Sequence, residues 1–210
     1  MANKNTLILT CGGTGSGKTT VAKLIRDEMS KDSSAQVICL DQFYLNDIDK
    51  IPRLKDELNY DHPNAFDWEL IKSCINSLLT GKETYLPEYD YSIHQRKKEM
   101  RLVQSTDIIV LEGILSLYDK ELCEMADIKI FVETESDERF IRRLVRDVQE
   151  RGRSLDSVIK QWRNVVRPMH KAFVDPLKES ADIIIPWYKT NMTGVKTIIA
   201  TLSQMIKDKK

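Results

Sequence analysis

The sequence is short of glycine, cysteine and apolar runs, and it carries no surplus charge of either sign. Its 210 residues include 8 glycines and 6 prolines, too few for a collagen-like or low-complexity chain. The 4 cysteines, Cys11, Cys39, Cys74 and Cys123, stand far apart without Cys-x-x-Cys or Cys/His zinc spacing. That excludes a disulfide scaffold and reads as buried thiols in a reducing compartment. No apolar run exceeds the four residues of Ile108–Leu111, against the roughly 20 that a membrane helix needs. Met1-Ala2-Asn3-Lys4-Asn5 leads straight into a strand-like stretch with no signal-peptide core, so a cytoplasmic chain with no membrane partner is expected. The 32 basic and 32 acidic side chains cancel, which argues against a broadly basic nucleic-acid binder. With 41% apolar and 30% charged residues, an ordinary globular chain remains, and its length suits one domain.

What is present is an alternation of β-branched apolar runs with helical patterns, the signature of βαβ units and a largely parallel sheet. Strands are predicted at Thr6–Cys11, Gln36–Leu40, Asp107–Leu111, Ile128–Val132 and Asp182–Ile185. Helices are predicted at Lys18–Met29, Asp67–Leu79, Asp119–Met125, Asp137–Glu150, Leu155–Val166 and Gly194–Ile206, with Pro168 interrupting helicity near the end of the fifth. The expected fold is α/β, with helices on both faces of the sheet. Residues 41–66 are acidic and loop-like, and 84–104 alternates like a hairpin broken by Pro87. Open parallel sheets bind ligands in the crevice at the carboxyl ends of their strands, so these inserted segments are read as cover for a substrate.

Four of the glycines crowd into one stretch. Gly12-Gly13-Thr14-Gly15-Ser16-Gly17-Lys18-Thr19 matches G-x-x-x-x-G-K-[ST], between a strand and an amphipathic helix. Such a loop turns successive backbone N–H groups toward phosphate oxygens, and the helix N-terminus adds about half a positive charge. Lys18 is expected to bridge the β- and γ-phosphates, Thr19 to hold Mg²⁺, and Thr20 to lie beside them. A P-loop NTPase-type fold follows. The guanine-reading Asn-Lys-x-Asp and the transporter signature Leu-Ser-Gly-Gly are both absent from the sequence, which leaves a kinase of a small acceptor in front.

Two acids stand where apolar strands finish, Asp41 after Val37–Leu40 and Glu112 after Ile108–Leu111. Phosphoryl transfer needs one carboxylate to take the acceptor proton and one to hold the metal. Asp41 suits the base, because the acidic segment that could present an acceptor follows it, and Glu112 the metal. Each could equally cap the turn after its strand.

Arg139, Arg142, Arg143 and Arg146 recur at helical spacing, with Arg151 and Arg153 beyond. They read as a lid over a nucleotide, about 139–154, that excludes water and screens charge. Glu135–Arg139, Glu138–Arg142, Arg143–Asp147 and Arg146–Glu150 also fit i,i+4 ion pairs on a solvated face. Residues 59–67 and 87–94 concentrate aromatics, acids and two of the three histidines, a composition that suits a planar base and a vicinal diol. Asp67 is expected to cap the following helix.

Together these residues resemble the uridine-cytidine kinase family, within the wider group that includes phosphoribulokinase. The likeness runs through the glycine loop, Asp41-Gln42-Phe43-Tyr44, Tyr60-Asp61-His62-Pro63, Tyr89-Asp90-Tyr91 with His94 and Arg96, Glu112-Gly113-Ile114-Leu115, Arg146-Asp147 and Glu150-Arg151-Gly152-Arg153. It implies a single P-loop kinase domain with an inserted β-hairpin substrate lobe. It implies ATP or GTP as donor, Mg²⁺, and uridine or cytidine phosphorylated at the 5′-hydroxyl in pyrimidine salvage. By matching positions Asp41 is the base, and Tyr44 and Asp61 lie on the nucleoside, Asp61 at the ribose hydroxyls. Tyr89 and His94 read the base edge, Arg143, Arg153 and Gln161 complete the nucleoside site, and Arg146 and Arg151 face phosphates. The resemblance also implies a homo-oligomer, commonly a tetramer. One departure stands out: after Pro186 the family usually has Arg-Gly-Gly, and here Trp187-Tyr188-Lys189 follows. That leaves the donor base open.

Overall fold

A computed structural model describes residues 5–90 and 95–209. Five parallel strands, β1 (Thr6–Cys11), β2 (Ala35–Cys39), β7 (Ile108–Gly113), β8 (Ile128–Glu133) and β9 (Ile183–Pro186), form the sheet in the order β2-β7-β1-β8-β9. Every residue of β1 and β7 is buried, which is why both are dominated by apolar side chains instead of alternating with polar ones. Side chains of β1 alternate between two cores: Leu7 and Leu9 face one, Ile8 the other. On Ile8's side pack α1 (Lys18–Met29), through Val21, Ala22 and Ile25, and α7 (Met192–Lys209), through Val195, Ile198 and Leu202. On the opposite side pack α2 (Trp68–Leu79), through Ile71, Ile75 and Leu78, and the hairpin of β5 (Thr84–Asp90) and β6 (Gln95–Val103). Asp67 caps α2 as expected, its Oδ1 accepting from the Leu70 amide at 3.2 Å.

The expected strands and helices are all present and, apart from the fifth helix, their ends are displaced by a few residues at most. Three differences in the strands matter. Glu112 does not follow its strand; it belongs to β7, which runs on to Gly113. Leu40 leaves β2 to open a tight 3-10 turn, Leu40–Phe43, that carries Asp41. Moreover, β2 pairs with β7 and not with β1. Residues 41–66 contain only short turns and the two-residue strands β3 (Arg53–Leu54) and β4 (Glu57–Leu58). In the hairpin Pro87 is accommodated, since the register shifts between Pro87 and Tyr89, a bulge of the kind that tolerates a missing N–H.

Pro168 does not interrupt the fifth helical stretch. After α3 (Lys120–Met125), α4 (Ser136–Gln149) and α5 (Leu155–Gln161), the chain stays helical through α6 (Arg167–Met169) to Val174, by way of two π turns, Trp162–Val166 and His170–Val174. The wider turns on either side give room for the proline ring and its missing donor, which a regular α-helix lacks. None of the four cysteines forms a disulfide, and burial pushes the Cys11 thiol up to about 11. Among the described residues no helix is long and apolar enough to cross a membrane.

Candidate active site

The glycine loop joins the end of β1 to α1, with Gly17 at φ 92° directly before Lys18. Glycine offers no side chain to cap the helix, so the first-turn N–H groups remain available to an anion. The loop is fixed from outside. Thr134 Oγ1 donates to the Ser16 carbonyl at 2.9 Å in a buried bond, and Arg143 Nη1 donates to Thr14 Oγ1 at 3.0 Å. Gly15, at φ 77°, lies so close to the Arg139 carbonyl that no Cβ would fit between them.

Across β7 the strand register sets Glu112 beside both Thr10 and Cys39. Glu112 is 3% exposed, its Oε1 accepts from Thr19 Oγ1 at 3.0 Å, and its Oε2 is buried with no hydrogen-bond partner among the described residues. An orphaned carboxylate oxygen next to a hydroxyl is a donor set that fits Mg²⁺, which takes one or two carboxylates and completes its shell with water and phosphate oxygens. Asp41 reaches the same space from its 3-10 turn, with Oδ1 accepting from Tyr44 Oη at 3.3 Å.

Rings surround Tyr44, the partner of Asp41. Tyr44 lies 5.1 Å from Tyr60, 5.3 Å from Tyr89 and 4.6 Å from Phe66, centroid to centroid. Burial, with Asp41 and Asp61 nearby, pushes the Tyr44 phenol far above its usual range, so it is a donor here. Burial also raises the Asp61 carboxyl; Arg143 opposes that, Asp41 reinforces it and Lys18 opposes it. The hairpin is pinned to this corner by Arg96, whose Nη2 donates to the Phe43 carbonyl at 2.8 Å while the guanidinium pairs with Asp67 at 3.3 Å.

The helical arginines split by direction. Arg139 is 5% exposed and packs behind the glycine loop, over Trp162 at 5.7 Å, with Nε donating to the Thr134 carbonyl. Arg142 donates to the carbonyls of Trp187 and Tyr188 at 3.2 and 2.6 Å. Arg143 and Arg146 turn inward, joined by Arg151 and Arg153 from beyond α4. The solvated face expected from i,i+4 pairing holds for Glu138–Arg142 at 2.7 Å. It fails elsewhere: Arg143 and Asp147 are buried, and Arg146 bonds Asp147, its neighbour in sequence. The amphipathicity of α4 is inverted, with Arg139, Arg143 and Asp147 inside and Ile141, Val145 and Val148 exposed.

A sequence model described as the phosphoribulokinase / uridine kinase family matches residues 7–194. The chain belongs to that family. Among curated proteins it is 45% identical to the uridine kinase of Clostridium tetani, over 99% of this chain and 99% of that one. It is 44% identical to the uridine kinase of Halalkalibacterium halodurans, over 100% of this chain and 99% of the other. Among solved structures, D-glycerate 3-kinase from Cryptococcus neoformans var. grubii superposes with a TM-score of 0.66 at 17% identity, covering 87% of this chain and 86% of that one. That last likeness is one of fold. Membership in a family of kinases carries with it a nucleotide phosphate donor.

In this member of the phosphoribulokinase/uridine kinase family, a cavity of about 340 Å³ gathers most of the residues singled out in the sequence. Thr14, Lys18 and Thr19 line it from the loop, Asp41, Tyr44, Asp61 and Tyr89 from the opposite side, Glu112 from the sheet, and Arg143, Arg146, Arg151, Arg153 and Gln161 from the helices. Gly12, Gly13, Gly15, Ser16 and Gly17 form the loop beneath without lining that cavity. Thr20 is exposed and does not line it. His94 lies outside the described residues. His62 caps the turn Pro63–Ala65, its Nδ1 accepting from the Asn64 amide. Sequence reasoning missed Tyr60, Cys39 and Ile114 in the lining, and the bond from Thr134 to the loop. Tyr60 and Ile114 carried a signal, being part of the Tyr-Asp-His-Pro and Glu-Gly-Ile-Leu runs.

Proposed function

We propose that the chain is a uridine/cytidine kinase, transferring the γ-phosphate of ATP or GTP to the nucleoside 5′-hydroxyl and yielding UMP or CMP for pyrimidine salvage. The observation that carries this reading is the shared cavity, in which Asp41 and an aromatic, acidic corner face Lys18 and the glycine loop. Full-length relatives named uridine kinase at 44–45% identity support the acceptor.

In this reading Asp41 accepts a hydrogen bond from the 5′-hydroxyl and takes its proton as the new P–O bond forms, while the Tyr44 phenol holds the carboxylate in place. Asp61 accepts from the ribose hydroxyls, and Arg143, Arg153 and Gln161 close the nucleoside side. Tyr89, with His94, reads the polar edge of the pyrimidine; a neutral imidazole can donate to a carbonyl or accept from an amino group, so one pocket serves both bases. Lys18, Arg146 and Arg151 bind phosphate oxygens and neutralise charge that builds on them in transfer. Thr19 and Glu112 would hold Mg²⁺, which when bound supplies charge neutralisation on the β- and γ-phosphates. The loop's N–H groups, in place before the substrate arrives, need no reorganisation during the step.

The test is an acceptor panel in a coupled ADP-release assay. Uridine and cytidine are expected to give monophosphate, with Asp41→Asn slower by about 10²–10⁴-fold in kcat yet still binding nucleoside. A protein that turns over another alcohol and neither nucleoside would overturn the assignment.

A further inference from the structure

Asp147 has no exposed side-chain surface and stands at ion-pair distance from four guanidinium groups. Its two oxygens divide them. Oδ1 accepts from Arg146 Nε and Nη2 at 2.9 and 2.7 Å and lies 3.6 Å from Arg151 Nη1. Oδ2 lies 3.4 Å from Arg153 Nη1 and 3.5 Å from Arg143 Nε. The Oδ2 pair converges again on Gln161 Oε1, from Arg143 Nη2 at 2.8 Å and Arg153 Nη1 at 2.7 Å. The Arg153 amide also closes back on the Asp147 carbonyl at 3.0 Å. Burial opposes the carboxylate's charge, but Arg143, then Arg146 and Arg151, outweigh it and hold the carboxyl below its usual range.

One carboxylate is shared among these four cations, so its position is tied to all of them. On the kinase reading above, on which this inference rests, the Oδ1 pair faces the phosphates and the Oδ2 pair the nucleoside. We propose that Asp147 is a positioning residue that couples the two half-sites: when a ligand fixes one arginine pair, it fixes the shared carboxylate and so orients the other pair. Linkage makes this coupling reciprocal, the donor tightening acceptor binding by the same factor as the acceptor tightens the donor. A carboxylate that served folding alone would change both affinities without changing that factor.

The experiment uses the full chain and Asp147→Asn, which keeps the shape and removes the charge. Calorimetry measures uridine binding with and without a non-hydrolysable ATP analogue and Mg²⁺, then analogue binding with and without uridine. The wild type is expected to show a coupling factor of about fivefold or more, equal in both directions, and Asp147→Asn a factor near one. Should that variant not fold, Asp147→Glu, which keeps the charge but moves it by one methylene, is measured instead and is expected to lose most of the coupling. A wild-type factor of one, or an undiminished factor in the folded variant, overturns the coupling while leaving the kinase reading intact. A wild type that neither binds nor phosphorylates uridine overturns both.

Discussion

Gly15 and Gly81 have nearly the same backbone, φ 77° and 81°, but opposite surroundings. A Cβ on Gly81 meets nothing within 4 Å, whereas one on Gly15 would run into the backbone carbonyl of Arg139. Substituting alanine at each therefore separates conformational strain from collision. Left-handed backbone costs a non-glycine residue about 1–2 kcal/mol. At about 2–4 °C per kcal/mol for a domain of this size, Gly81→Ala should lower Tm by about 2–8 °C and leave kinetics unchanged. Gly15→Ala carries the same strain, and in addition the glycine loop or the first turn of α4 must yield by roughly 1 Å to restore ordinary contact. A misplacement of that size can cost about 10²-fold in rate, so kcat/KM for the nucleotide donor should fall by about that much. Thermal melts and donor-saturation kinetics on both variants read the two effects apart. Equal kinetics in the two variants would refute the claim that α4 buttresses the loop.

Arg96→Met removes the bond to the Phe43 carbonyl and the pairing with Asp67; a loss of about 1.5–3 kcal/mol is expected in urea unfolding, with nucleoside KM raised and donor KM unchanged. The Asp61 and Asp147 carboxyls shift in opposite directions, so their effects on stability oppose each other. With its pKa raised above the unfolded value of 3.8, Asp61 is a burden at neutral pH that lightens as pH falls through the folded value; Asp61→Asn should raise the Tm of the unliganded protein at pH 7 and weaken nucleoside binding. With its pKa lowered, Asp147 contributes stability that is complete above 3.8 and lost as pH falls through the folded value, so Asp147→Asn should lower Tm at pH 7. Glu112→Gln leaves the hydroxyl contact of Thr19 possible but removes the charge, and the Mg²⁺ concentration needed for half-maximal activity should rise at least tenfold, about 1.4 kcal/mol.

Much of this architecture was legible because the sheet is buried on both sides: short runs rich in β-branched and aliphatic residues at Thr6–Cys11 and Ile108–Leu111 have few other readings. The glycine loop was legible because its chemistry dictates spacing. Which arginine goes where was not, because helical spacing gives an angle around α4 and says nothing of what stands opposite each angle. Arg139 faces the back of the loop, Arg142 the carbonyls after β9, and Arg143 the cavity, and these neighbours come from segments far along the chain. The burial of Asp147 was hidden for a related reason: an i,i+4 Arg–Asp pair looks the same in sequence whether water or three further arginines complete it. Pro168 misled because proline rules assume an α-helical register, and here the register widens to π around it.

The inverted helix α4 has a thermodynamic consequence. Its buried positions are Arg139, Arg143 and Asp147, while Ile141, Val145 and Val148 already meet solvent. Lifting α4 from the body would therefore exchange ion pairs and hydrogen bonds for hydrated charges, and the hydrocarbon uncovered would lie chiefly at Leu144 and where Phe140 meets Trp162. Heat capacity responds chiefly to hydrocarbon exposure, so it registers that contact and not the ion pairs. Ionic strength, which weakens attraction between charges once they open to water, is the variable to which this part of the molecule answers.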